Sequence, residues 1–267
     1  MSSKRLRRDR DRAVMDDPGR AARILTWMGI ALFVAVAAAL SLGASMALVD
    51  AILLSVLLAA VPMFAVAQVP LVEGLRLERL PAYWSSIITL GILGTACWFV
   101  GSRVDGASAL GLAPIAPAPL VGWTIGLTAA GLAIVLAFHG MAAAAGVVDS
   151  DLLVQLLPRT SREKSVFALL SFAAGSGEEL AYRGYVIPTL SPLLDVFGAA
   201  LLSTAVFGVV HAYQGPLGIA RTSLMGGVLA WGFIASGSLW PAVAAHILID
   251  LIAGIALGDK LLVTAKG

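Results

Sequence analysis

Long apolar runs, interrupted by short polar connections, divide the chain into about eight segments: 24–42, 47–71, 83–101, 120–146, 165–187, 197–213, 217–236 and 239–257. A helix rises 1.5 Å per residue and needs about 20 apolar residues to cross the hydrocarbon core. Each run is near that length, so the pattern predicts an all-α protein, a polytopic transmembrane helical bundle of about eight spans. Two connections are longer, 101–119 and 147–164. The first ends in "GLAPIAPAPL", whose prolines and glycines mark a linker or interfacial segment rather than a domain. The expected organisation is a basic tail over 1–23, N-terminal transmembrane helices over 24–147, and a cytoplasmic connection over 148–164. A four-helix transmembrane core over 165–258 and a short tail over 259–267 complete it.

Composition agrees with the pattern. A chain of 267 residues that is 59% hydrophobic and only 13% charged is too apolar for an ordinary soluble domain. The net charge of +2 conceals an asymmetry. Lys4, Arg5, Arg7, Arg8, Arg10 and Arg12 crowd the N-terminus. Ahead of a membrane span such a head is an orientation signal and not a nucleic-acid site. With the N-terminus inside, the inner segments also hold Arg76, Arg79, Arg159, Arg162, Lys164, Lys260 and Lys266, and the outer ones only Arg103. That bias predicts an N-in, C-in, multi-pass protein of the cell membrane. Arg221 falls near an inner helix end, where it can snorkel to the headgroups. The first apolar run exceeds the roughly 7–15 residues of a signal-peptide core, so it is expected to be a retained helix. Cys97, the only cysteine, excludes an intrachain disulfide or a thiolate zinc site and reads as a small buried residue.

Ionised groups at a helix centre cost about 2.5–3.5 kcal/mol each on insertion scales, which makes the C-terminal half unusual. "GSGEELAYRG" carries Glu178, Glu179 and Arg183; the next runs carry His211, then His246 with Asp250. Counting at 1.5 Å per residue places Glu178, His211, His246 and Asp250 within about half the membrane thickness of one another. They can share a site. His139 stands alone in its run and reads as a packed, hydrogen-bonded residue. Glu179 and Arg183 are spaced i, i+4 with the acid first, the favourable order for a pair. Glu178 projects about 100° away. It either makes a second structural contact, for instance to the Tyr182 hydroxyl, or serves as a desolvated carboxylate that takes a proton from water. His211, with Phe207 one turn before it, adds a second proton-handling group. His246 and Asp250 share a helix face and suit the stabilisation of an oxyanion. The set points to peptide hydrolysis without a covalent intermediate. No serine stands in a nucleophile-elbow context. A zinc ion held by the histidines and carboxylates is the alternative; there is no His-Glu-x-x-His run, and Arg183 would repel a cation. No other cofactor is expected.

"EELAYR", "FGVVH" and "HILID" resemble the three motifs of the CPBP family, which takes in the CAAX prenyl endopeptidases and the bacterial Abi proteins of bacteriocin processing and self-immunity. The motifs occur in order, each in a hydrophobic run, and cover roughly 165–257. The resemblance implies a helical intramembrane protease of the glutamate type, sometimes labelled a metalloprotease. It implies Glu178 as the base, His211 as its helper, His246 and residue 250 as the oxyanion-side pair, and Glu179, Arg183 and Phe207 as support. The substrate it implies is a membrane-associated peptide or protein, either a prenylated CAAX chain or a bacteriocin-like peptide. One departure is chemical: prenyl-protease members carry asparagine where this chain has Asp250. An ionised aspartate repels an oxyanion, so Asp250 either carries a proton or orients His246. A non-catalytic immunity or peptide-binding protein is the rival of another class. A proton-coupled transporter would show polar groups in both halves, and here they occupy one.

Overall fold

The computed structural model describes residues 18–72 and 75–263. The expected N-terminal tail up to residue 17, and Lys266, lie outside the described residues. All regular structure among the described residues is helical, and six of these helices are long and apolar enough to cross a membrane. The protein is a polytopic helical membrane protein.

Two compact units divide the chain, 1–75 and 76–267. In the first, α1 (Pro18–Ala38) runs into a π turn at Ala39–Gly43, and α2 (Leu48–Val72) packs along it. Ala51, Leu54 and Leu57 of α2 are fully buried.

The second unit contains α3 (Arg79–Gly101), α4 (Pro117–Ala145), the short α5 (Asp151–Leu156), α6 (Ser161–Glu179), α7 (Ile187–Val210), α8 (Gly215–Ser236) and α9 (Trp240–Asp250). The stretch Ser161–Val210 is continuous in hydropathy over 50 residues but breaks at Asp195, whose φ of 56° and ψ of 173° are not helical. Asp195 Oδ1 accepts from the Phe197 and Gly198 amides at 2.8 and 2.9 Å. That is how an N-cap satisfies the orphan donors of a new helix. The second turn between apolar helices lies at Gly237, φ 67°.

The N-terminus of α6 is fixed by a capping box: Glu163 N donates to Thr160 Oγ1 at 3.2 Å, and Thr160 N to Glu163 Oε2 at 3.0 Å. Just before it, the connection is tied to the base of α3. Arg79 Nε donates to the Leu157 carbonyl at 2.8 Å and the Tyr83 hydroxyl to that of Leu156 at 2.6 Å. His139 meets the expectation of a hydrogen-bonded residue, with Nδ1 2.9 Å from the Leu261 carbonyl. Cys97 is fully buried and unpaired. Arg221 donates to Gln214 Oε1 at 2.8 Å, a contact that snorkelling alone does not foresee.

Helices α3 and α6 approach to backbone contact. A Cβ on Gly177 would stand 2.7 Å from the Leu90 carbonyl oxygen, and one on Gly94 would stand 3.1 Å from Gly177 Cα. Small residues permit this closeness between membrane helices. It sets the position of the two glutamates that follow Gly177. Gly177→Ala is expected to wedge the helices apart at a cost of about 1–3 kcal/mol, measurable as a lowered melting temperature in detergent.

Candidate active site

Immediately after Glu179 the backbone widens into a π turn over Leu180–Val186. Single π turns within α-helices are frequent at functional sites. The Tyr182 carbonyl in this turn is satisfied from another helix, by the Ser203 hydroxyl of α7 at 2.6 Å. A second π turn, Leu251–Ala256, follows Asp250. Both acid-bearing segments therefore end in widened helix, and the polar groups lie next to it.

Glu179 and Arg183 are both 0% exposed and form an ion pair, Arg183 Nη1 to Glu179 Oε1, at 2.9 Å. The same oxygen accepts a hydrogen bond from His246 Nδ1 at 2.8 Å. One carboxylate oxygen thus serves a guanidinium and an imidazole. Arg183 also lies over the Phe207 ring, 4.3 Å from its centroid, a cation–π contact that compensates part of its desolvation. A Cβ on Gly226 of α8 would stand 2.6 Å from Arg183 Nη2 and 3.0 Å from Phe207 Cδ1. Only glycine leaves room there for the stacked pair. Arg183 Nε and Nη2, Glu179 Oε2 and the Tyr182 hydroxyl are buried without a hydrogen-bond partner. Glu178 therefore does not bond to Tyr182, the structural contact the sequence allowed.

Glu178 turns to His246 instead. With Nδ1 donating to Glu179, His246 presents Nε2 to two carboxylates, at 3.8 Å from Glu178 Oε2 and 3.8 Å from Asp250 Oδ2. Those separations exceed direct hydrogen bonds and are the kind that a bridging water or reacting oxygen spans. The exposures grade in the same direction: Glu178 is 15% and Asp250 33% exposed, whereas the Glu179–Arg183 pair is sealed. The reactive side of the imidazole is the accessible one.

His211 closes α7, at φ −92° and ψ 22°. Its Nδ1 donates to the Phe207 carbonyl at 2.8 Å, which leaves Nε2 for chemistry. The Phe207 ring lies 4.8 Å from His211, 6.3 Å from His246 and 5.3 Å from Tyr182, centroid to centroid. Phe207 is the hub about which both imidazoles and the guanidinium are arranged. All seven residues singled out from the sequence are linked by these contacts. Three that sequence reasoning passed over join them: Gly226, and Tyr213 with Gln214 in the turn after His211. Tyr213 stands two residues beyond His211.

Among the described residues, no three His, Cys, Asp or Glu side chains are grouped to hold a metal ion. Glu179 is committed to Arg183 and to His246 Nδ1, which leaves His246 Nε2, Glu178 and Asp250 as the groups that face one another.

Residues 161–252 match the family described as type II CAAX prenyl endopeptidase Rce1-like. The match spans α6 to α9 and contains every residue of the site. The likeness to that family is a likeness of this segment. A stretch of 69 residues is 42% identical to the vacuolar iron transporter homolog 1 of Oryza sativa subsp. japonica, covering 25% of this chain and 30% of that protein. The chain thus spans about a third of the length of that curated relative. No solved structure matches the chain.

Proposed function

We propose that this chain is a glutamate-type intramembrane endopeptidase of the cell membrane. It acts on a membrane-associated substrate, a CAAX-type prenylated chain or a bacteriocin-like peptide. The observation that carries this reading is the position of His246 Nε2, 3.8 Å from both Glu178 and Asp250, with its other nitrogen anchored on buried Glu179. Glu178 takes a proton from water as the oxygen attacks the peptide carbonyl. His211, through Nε2, holds that water. The tetrahedral oxyanion forms beside His246, which as an imidazolium keeps its Nδ1–H on Glu179 and turns its Nε2–H to the oxyanion. Glu178 then passes the proton to the departing amine, so each cut consumes one water and regenerates the site. Glu179 and Arg183 touch no reacting atom; they orient His246. No step is assigned to a metal. Eight spans with both termini inside complete the proposal and place the basic head at the cytoplasmic face.

The test is cleavage of a lipid-anchored peptide by the purified chain in liposomes, with chelator present. Two fragments are expected. His211→Ala is expected to lower kcat by about 10²–10⁴-fold, the contribution of one acid–base group, with the substrate still bound. An intact peptide in the wild-type reaction would end the protease reading, and activity that returned only on adding zinc would end its metal-free form.

A further inference from the structure

We propose that Tyr213 is a further catalytic residue, its hydroxyl donating to the oxyanion the hydrogen bond that an asparagine at position 250 would supply. The inference rests on the protease reading above and deepens it.

Position 250 is an aspartate. An ionised carboxylate accepts hydrogen bonds and donates none. With Asp250 ionised opposite the His246 imidazolium, 3.8 Å from Nε2, the oxyanion side of the site has one side-chain donor among the motif residues, His246 Nε2–H, where an amide would have made a second. Tyr213 occupies the 3-10 turn Ala212–Gln214 directly after His211. Its ring lies 6.0 Å from the His211 ring, inclined at 36°. Through His211, whose ring lies 4.8 Å from Phe207, it joins the ring cluster that reaches His246.

The hydroxyl is oriented by its neighbours. Arg221 Nη2 donates to Gln214 Oε1 at 2.8 Å. That contact decides which way the Gln214 amide points, since an oxygen must face the guanidinium. Gln214 Nε2 is thereby turned to the Tyr213 hydroxyl and donates to it at 3.1 Å. The phenol oxygen is an acceptor in that bond, and its own proton is left to donate elsewhere. From below, the Ser150 hydroxyl donates to the Tyr213 carbonyl at 2.7 Å and holds the turn. A donor fixed in advance in this way needs no reorganisation as charge develops on the substrate. The arrangement also gives Arg221 a use: it acts through Gln214 as a positioning residue.

The experiment compares the purified full-length wild type, Tyr213→Phe, Asp250→Asn, the Tyr213→Phe/Asp250→Asn double variant and Glu178→Gln on a lipid-anchored peptide. Tyr213→Phe is expected to lower kcat about 10²–10³-fold, as loss of one oxyanion donor does. A KM within about twofold of wild type marks an interaction made only in the transition state. Asp250→Asn in the Tyr213→Phe background is expected to recover activity roughly tenfold or more, because an amide donor returns. A folding defect would not be relieved by that second change. Unchanged kcat in Tyr213→Phe overturns the proposal, and so does a loss that Asp250→Asn leaves in place. Cleavage by the wild type but not by Glu178→Gln upholds the protease reading whatever Tyr213 does. A wild type that leaves the peptide whole overturns both.

Discussion

Glu178→Gln is expected to abolish peptide cleavage, lowering kcat by about 10³–10⁴-fold, while the protein still inserts and folds. The amide has the size of the carboxylate but cannot hold the proton of the attacking water. Glu178 has no structural employment to lose. Its contact in the site is His246 Nε2 at 3.8 Å, across a gap and not a bond, and the buried ion pair belongs to its neighbour Glu179. A matched loss of stability would assign Glu178 to the scaffold. The measurements are single-turnover cleavage in liposomes and, on the same sample, the melting temperature. Activity should collapse and the melting temperature should stay.

Arg183→Met is expected to do the reverse, costing about 3–5 kcal/mol of stability, the range for removing one member of a buried ion pair. Against a typical total of roughly 5–15 kcal/mol, that is a large share. Arg183 and Glu179 are both 0% exposed, so the carboxylate left behind has no water to turn to. Its remaining donor is His246, bound to the same oxygen at 2.8 Å. The vacated space lies under Gly226 and beside Phe207, in which a methionine can pack without replacing the charge. Glu179→Gln added to Arg183→Met should recover part of the loss, since no isolated buried charge then remains. Denaturant titration of the two single variants and the double variant measures the coupling. If the double variant loses the sum of the single effects, the pair has no mutual energy.

Much of the site is legible in the sequence because charge in an apolar run is costly and therefore conspicuous. Glu178, Glu179, Arg183, His211, His246 and Asp250 stand out for that reason alone. The i, i+4 spacing anticipates the Glu179–Arg183 pair, which closes at 2.9 Å. What spacing cannot supply is the third member: His246 is 67 residues away along the chain and reaches Glu179 only through the packing of α9 on α6. The close approach at Gly177 and the cleared space at Gly226 are equally tertiary, since a glycine in an apolar run gives no sign of what faces it. Tyr213 is inconspicuous for another reason. A tyrosine near a helix end is an ordinary interfacial residue, and the hydrogen bonds by which Gln214 and Arg221 orient its hydroxyl exist only in the folded chain. Between the apolar runs 165–187 and 197–213 the helical path breaks at a single residue, Asp195.

Water added across a peptide bond by Glu178, beside an imidazole that Glu179 holds in place, is the central claim. The most direct test is mass spectrometry of a lipid-anchored peptide incubated with the chelator-treated chain in oxygen-18-labelled water. The account predicts two fragments, with one labelled oxygen in the new C-terminal carboxylate for each cut, from the wild type and none from Glu178→Gln. A peptide that stays whole with the wild type, or labelled fragments that persist with Glu178→Gln, would contradict it.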